Sequence, residues 1–178
     1  MSTLQVQTLQ GPTSGADSNT IRVADGHTLV GGQGSIIQEQ INLFPVSFTN
    51  NSMAYLQTGM EIEITPKIAS SRILVTAVFN IDFTASSNIY GFGARLYNLN
   101  TSAPLGDGTN GDGLFYSNGI WADGSGHVQL VVRAVDDQTN DTVLRTYGLA
   151  IKNVSTASSM SVNNNWGLST ITATEIAQ

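Results

Sequence analysis

From Ser35 onward, apolar and polar residues alternate with a period of two rather than 3.6, the spacing of a half-buried strand. In the clearest run, residues 72–84, Ile73, Val75, Ala77, Phe79, Ile81 and Phe83 share one face, while Thr76, Asn80 and Asp82 lie on the other. Met60, Ile62 and Ile64 alternate with Glu61 and Glu63 in the same way. Runs rich in Val, Ile, Thr and aromatics at 35–48, 89–99, 114–117, 127–135, 142–152, 159–162 and 169–176 predict further strands. Turn-forming clusters separate them at 49–52, 85–88, 106–113, 123–126 and 136–141. Pro45 is expected at a bulge or edge, because it cannot donate to a ladder. No window of a dozen residues carries a helical stripe. The expectation is an all-β domain over residues 35–178, an antiparallel β-sandwich, jelly-roll-like, of about eight to nine strands.

Residues 1–34 differ in texture. Short alternating pieces at 4–9, 20–23 and 28–30 are broken by Gly11-Pro12, Gly15-Ala-Asp-Ser-Asn19, Asp25-Gly26 and Gly31-Gly-Gln-Gly34. Too few apolar groups occur here for an independent core, so this segment reads as an extended N-terminal arm that lies on another surface.

The run at 127–135 is apolar on both faces, with Val128, Leu130 and Val132 on one side and Val131 and Val135 on the other. Leu74 and Val78 likewise oppose the main apolar face of their strand. A sheet face in water should be polar, so these second faces call for a cover. A loop of the same chain, the arm or a neighbouring subunit could supply it. With so little helix available, a subunit interface is favoured.

Composition narrows the function classes. Only 11% of residues are charged, against a usual share of about 25%. Ser, Thr, Asn and Gln fill the gap. A formal charge of −6 and seven scattered basic residues leave no stripe to neutralise phosphates, which argues against nucleic acid. No apolar run reaches the length of about 18 residues that a membrane helix needs, so no membrane insertion is expected. Zero cysteines removes thiolate catalysis, zinc–thiolate sites and disulfides. Residues 1–10 show no basic n-region and no apolar h-region, which leads us to expect synthesis and folding in a cytoplasm.

Candidate chemistry is sparse, and no enzyme activity or cofactor is expected. His27 and His127 are a hundred residues apart, and no Gly-x-Ser-x-Gly elbow accompanies them. Glu61 and Glu63 stand about 7 Å apart on one strand face, yet the solvated side of an alternating strand explains them better than a glycosidase pair. Asp136 and Asp137 read as turn residues. Asp107, Asn110 and Asp112 in the Gly-rich loop 106–113 are weak Ca²⁺ candidates, hard oxygen donors whose spacing fails the EF-hand pattern. Tyr90, Tyr97, Tyr116, Trp121 and Trp166 are aromatics near loops that could stack on sugars, with core or subunit packing as the plainer role. Trp121 and Trp166, flanked by Asp/Gly and Asn/Gly turns, are the best candidates for exposed recognition residues.

Four stretches carry a family resemblance: Met1-Ser-Thr-Leu-Gln-Val-Gln-Thr-Leu-Gln10, Asn19-Thr-Ile-Arg-Val-Ala-Asp-Gly-His-Thr-Leu29, Gly59-Met-Glu-Ile-Glu-Ile-Thr-Pro-Lys-Ile-Ala-Ser-Ser-Arg-Ile-Leu-Val75 and Ser169-Thr-Ile-Thr-Ala-Thr-Glu-Ile176. Together they resemble a group of bacteriophage structural domains common in cyanophages and other aquatic phages. The resemblance implies a trimeric β-sandwich, found at the distal ends of tail fibres and tailspikes and as capsid decoration (cement) proteins. It carries over no site residues, because the group shares a scaffold rather than a site. Residues 1–34 reach at most about 110 Å when extended at roughly 3.3 Å per residue, which suits a capsomer clamp better than an anchor plus shaft. The leading expectation is a homotrimeric cement protein on the capsid surface of the virion, assembled in the host cytoplasm. Its arm would dock on the major capsid protein through Leu4, Val6, Leu9, Ile21, Val23 and Leu29. The alternative is a receptor-binding distal domain of a tail fibre or tailspike that recognises host surface glycan.

Overall fold

The computed structural model describes residues 33–85, 90–106, 115–119, 124–137, 140–154, 158–163 and 167–178. The described strands are β1 (Ile36–Phe44), β2 (Phe48–Asn50), β3 (Leu56–Ile64), β4 (Arg72–Ala85), β5 (Tyr90–Asn98), β6 (Ala103–Pro104), β7 (Phe115–Gly119), β8 (Gly124–Asp136), β9 (Arg145–Asn153), β10 (Ser158–Val162) and β11 (Ser169–Ile176).

Period-two alternation sets the inward face of each long strand. Ile73, Val75, Ala77, Phe79 and Ile81 of β4 are fully buried, as are Met60 of β3 and Leu149 and Ile151 of β9. Glu61 and Glu63 point outward and are exposed, as their phase in the sequence requires. The inward faces of two sheets meet in one hydrophobic core.

All the pairings are antiparallel, and four of them nest like the layers of a rolled hairpin. β5 pairs β7, β4 pairs β8, β3 pairs β9, and β1 pairs β11. Rolling this hairpin places β11 and β10 beside β4, and β9 beside β5. One sheet therefore runs β1/β2, β11/β10, β4, β8, with β2 and β10 continuing the lines of β1 and β11. The other runs β3, β9, β5, then β6 and β7. Counted by position, this is the eight-stranded jelly roll with its two Greek keys.

Local chemistry explains the boundaries. Pro45 falls in the break between β1 and β2, at the edge of the sheet, as expected. Gly59, at φ +77°, lies inside the register shift between Gln57 and Glu61, so β3 carries a bulge that a side chain would strain. Residues 124–126 do not form the expected turn; they begin β8. Gly126 is required there by a close approach, since a Cβ would lie 2.3 Å from Cζ of Phe83. Residues 49–50, also expected in a turn, extend β2 and pair with β10.

Candidate assembly surface

Two polar ties hold the ends of the sandwich. Asp136, expected in a turn, is the last residue of β8 and buried against the core. Its Oδ2 accepts hydrogen bonds from the Tyr147 hydroxyl at 2.8 Å and from Asn98 Nδ2 at 3.1 Å. Burial, followed by the charge of Asp136, pushes the Tyr147 hydroxyl far above the usual tyrosine range, so it remains a donor and bridges the sheets.

The second tie is Glu175, which the sequence reading passed over although it occupies the inward phase after Ile171 and Ala173. Its carboxylate accepts from the backbone amides of Lys67 (2.9 Å) and Ile68 (2.9 Å), from Ser71 Oγ (2.8 Å) and from Gln38 Nε2 (2.7 Å). Burial raises its pKa, but these donors together outweigh burial and hold it below the ordinary glutamate value. Both groups are consumed in structural bonds. Among the described residues no cluster of three His, Asp or Glu side chains could hold a metal.

The outer faces of the two sheets differ sharply. On the β3–β9–β5 sheet, the Tyr55 ring lies over Gly93, where a Cβ would come within 2.6 Å of its hydroxyl. The Arg95 guanidinium stacks 4.2 Å from the centre of that ring, and Lys152 Nζ sits 4.8 Å from it. Arg95 also donates to the Tyr97 hydroxyl at 3.2 Å. Tyr97 is thus packed into a cation–aromatic layer that the sheet lays over its own glycine floor.

On the other sheet, register settles which residues share the outer face. One row reads Leu43, Thr170, Val78, Val131; the next Ile41, Thr172, Thr76, Arg133; the third Glu39, Thr174, Leu74, Val135. Ile41 is 61% exposed, Leu43 57%, Val131 57% and Val135 43%. Beyond these rows the face turns polar. Thr49 and Ser161 hydroxyls are 2.8 Å apart, Gln129 donates to Asn80, and His127 Nδ1 contacts Asp82 Oδ1. Four strands about 4.8 Å apart and three rows roughly 6.6 Å apart give these twelve positions, six aliphatic, four threonine and two charged, a plan area of about 400 Å². Apolar surface gathered on one face at this scale often marks a functional surface. The predicted second face of β4 and β8 is therefore present, and β1 extends it with Ile41 and Leu43.

No family model matches the chain, and no curated protein matches it. Solved structures do. T=1 particles derived from infectious bursal virus share 13% identity, covering 92% of this chain and 42% of theirs, at a TM-score of 0.36. The T13 viral particle of infectious bursal disease virus gives 12%, 91%, 41% and 0.37, and the VP2 subviral particle of the same virus 13%, 91%, 43% and 0.39. These neighbours are viral particles. The chain spans about two fifths of the length of each. Likeness at this level adds nothing to the fold assignment, which rests on the strand pairing.

The remaining sequence candidates lie outside the described residues: Leu4, Val6, Leu9, Ile21, Val23, His27 and Leu29 of the arm, Asp107, Asn110 and Asp112 of the Gly-rich loop, and Trp121 and Trp166.

Proposed function

We propose that this chain is a virion structural protein: a homotrimer that decorates the outer surface of a phage head and reinforces it. Residues 1–34 dock on the major capsid protein, and the jelly roll projects from the shell. The observation that carries this reading is the bare aliphatic half of the β1–β11–β4–β8 face, a surface suited to burial in an assembly rather than to water. Among the described residues, both buried acids, Asp136 and Glu175, serve structural bonds. The resemblance of residues 1–10, 19–29, 59–75 and 169–176 to phage structural domains supplies the biological setting. Bound across capsomer junctions, such a protein adds buried area where pressure from packaged DNA would open the shell.

Immunogold labelling of intact virions with an antibody to this chain tests the location. Label over the head is the expected result; label at the tail would overturn it in favour of a fibre tip that recognises glycan. The arm is tested by Leu4→Asp combined with Val6→Asp in the full chain. That variant should remain folded and lose binding to undecorated heads, and unchanged decoration would remove the arm from the mechanism.

A further inference from the structure

We infer that the aliphatic half of the β1–β11–β4–β8 face is covered by further copies of this chain and lines the axis of the homotrimer. The inference rests on the trimeric reading above and names the surface that makes it.

Two features of the face point to a second copy rather than a foreign partner. Its margins are complementary. Glu39 sits on β1 at one edge and Arg133 on β8 at the other, one row apart, with only Thr and aliphatic side chains between them. A rotation axis parallel to the strands brings the β1 margin of each copy against the β8 margin of the next. Leu43 then meets the neighbour's Val131, and Glu39 lies about 6.6 Å along the strand from the neighbour's Arg133, within reach of two long side chains.

The second feature is the contrast between the two outer faces. The β3–β9–β5 sheet already covers its floor with Tyr55, Arg95 and Lys152, whereas Ile41, Leu43, Val131 and Val135 have no such layer and remain exposed.

The chain has no cysteine, so paired substitutions report contacts between subunits without background. Leu43 and Val131 of one chain are three strand spacings apart, about 14 Å, too far for an internal disulfide. The full-length Leu43→Cys/Val131→Cys double variant, oxidised and run without reductant, should give a covalent band of three chains. A two-chain band would overturn the threefold arrangement, and a single-chain band would overturn the face assignment. Sedimentation of the wild type separates the two levels of the argument. A solitary wild-type chain removes the trimer itself, whereas a wild-type trimer that persists in Val131→Glu removes only this face. Charge reversal gives the register: Glu39→Arg and Arg133→Glu alone should each weaken association at least tenfold, and the pair together should restore it. A double variant no better than the singles would refute the Glu39–Arg133 contact.

Discussion

Replacing Glu175 by Gln keeps the size of a fully buried side chain and removes its charge. Oε1 accepts from Lys67, Ile68 and Ser71, and Oε2 from Lys67 and from Gln38. An amide can keep its oxygen toward the first group, but its NH₂ then confronts the Gln38 amide. Gln38 cannot turn over without giving up its own bond to the Thr65 carbonyl at 2.7 Å. Each bond to a charged acceptor contributes about 1.5–3 kcal/mol, and removing the buried charge returns part of its desolvation cost. We expect Glu175→Gln to lose about 2–4 kcal/mol near neutral pH. The loss has a pH signature. The folded-state pKa lies below the unfolded value of about 4.3, so the clasp contributes fully above that value and fades as pH falls through the folded pKa. Urea unfolding followed by circular dichroism, at one fixed protein concentration because association also stabilises, measures the gap between the two proteins. It should be widest at about pH 7 and nearly closed at about pH 3. A gap under about 0.5 kcal/mol at neutrality, or one that stays the same in acid, would refute the reasoning.

Three further outcomes follow from the same packing. Tyr147→Phe leaves Asp136 with one fewer donor between the sheets and should cost about 1–3 kcal/mol by the same denaturation assay. Gly126→Ala forces the Phe83 ring aside and should cost about 1–3 kcal/mol, with a shift of the Phe83 ring resonances as the local report. Asn42→Ala removes the 2.8 Å bond to the Glu61 carbonyl that ties β1 to β3 across the sheets; near the surface this should cost only about 0.5–1 kcal/mol, visible as faster amide exchange in β1.

Much of the fold was legible because one physical signal dominates it. The alternation through Ile73, Val75, Ala77, Phe79 and Ile81 fixed strand, phase and core at once, and the apolar second side of Val131, Val135, Leu74 and Val78 was visible in the same runs. Strand order was not legible, because it depends on pairings between residues far apart in the chain. The contribution of Ile41 and Leu43 became visible only once register placed them beside Thr172 and Thr170. Asp136 and the glycines at 124 and 126 carry turn chemistry in isolation, and tertiary contacts overrode it: Tyr147 and Asn98 satisfy the acid, and the Phe83 ring occupies the space above Gly126. Glu175 did leave a trace, a carboxylate in phase with Ile171 and Ala173. Its donors, Lys67, Ile68 and Ser71, belong to a connection about a hundred residues away in sequence, and nothing local announced them.

The nested pairing also sets the order in which the molecule can form. Partners in β4 and β8 are 49 residues apart at Asn80 and Gln129, those in β3 and β9 91 apart at Thr58 and Leu149, and those in β1 and β11 137 apart at Gln38 and Glu175. Each inner pair, once made, shortens the loop that the next must close, so folding should zip outward from the middle of the chain at the millisecond-to-second pace of non-local β topologies. The last pair to close, β1 with β11, supplies both Glu39 and Leu43. If copies associate through this face as proposed, their recognition waits for completion of each monomer, a built-in proofreading step that keeps half-folded chains out of the assembly.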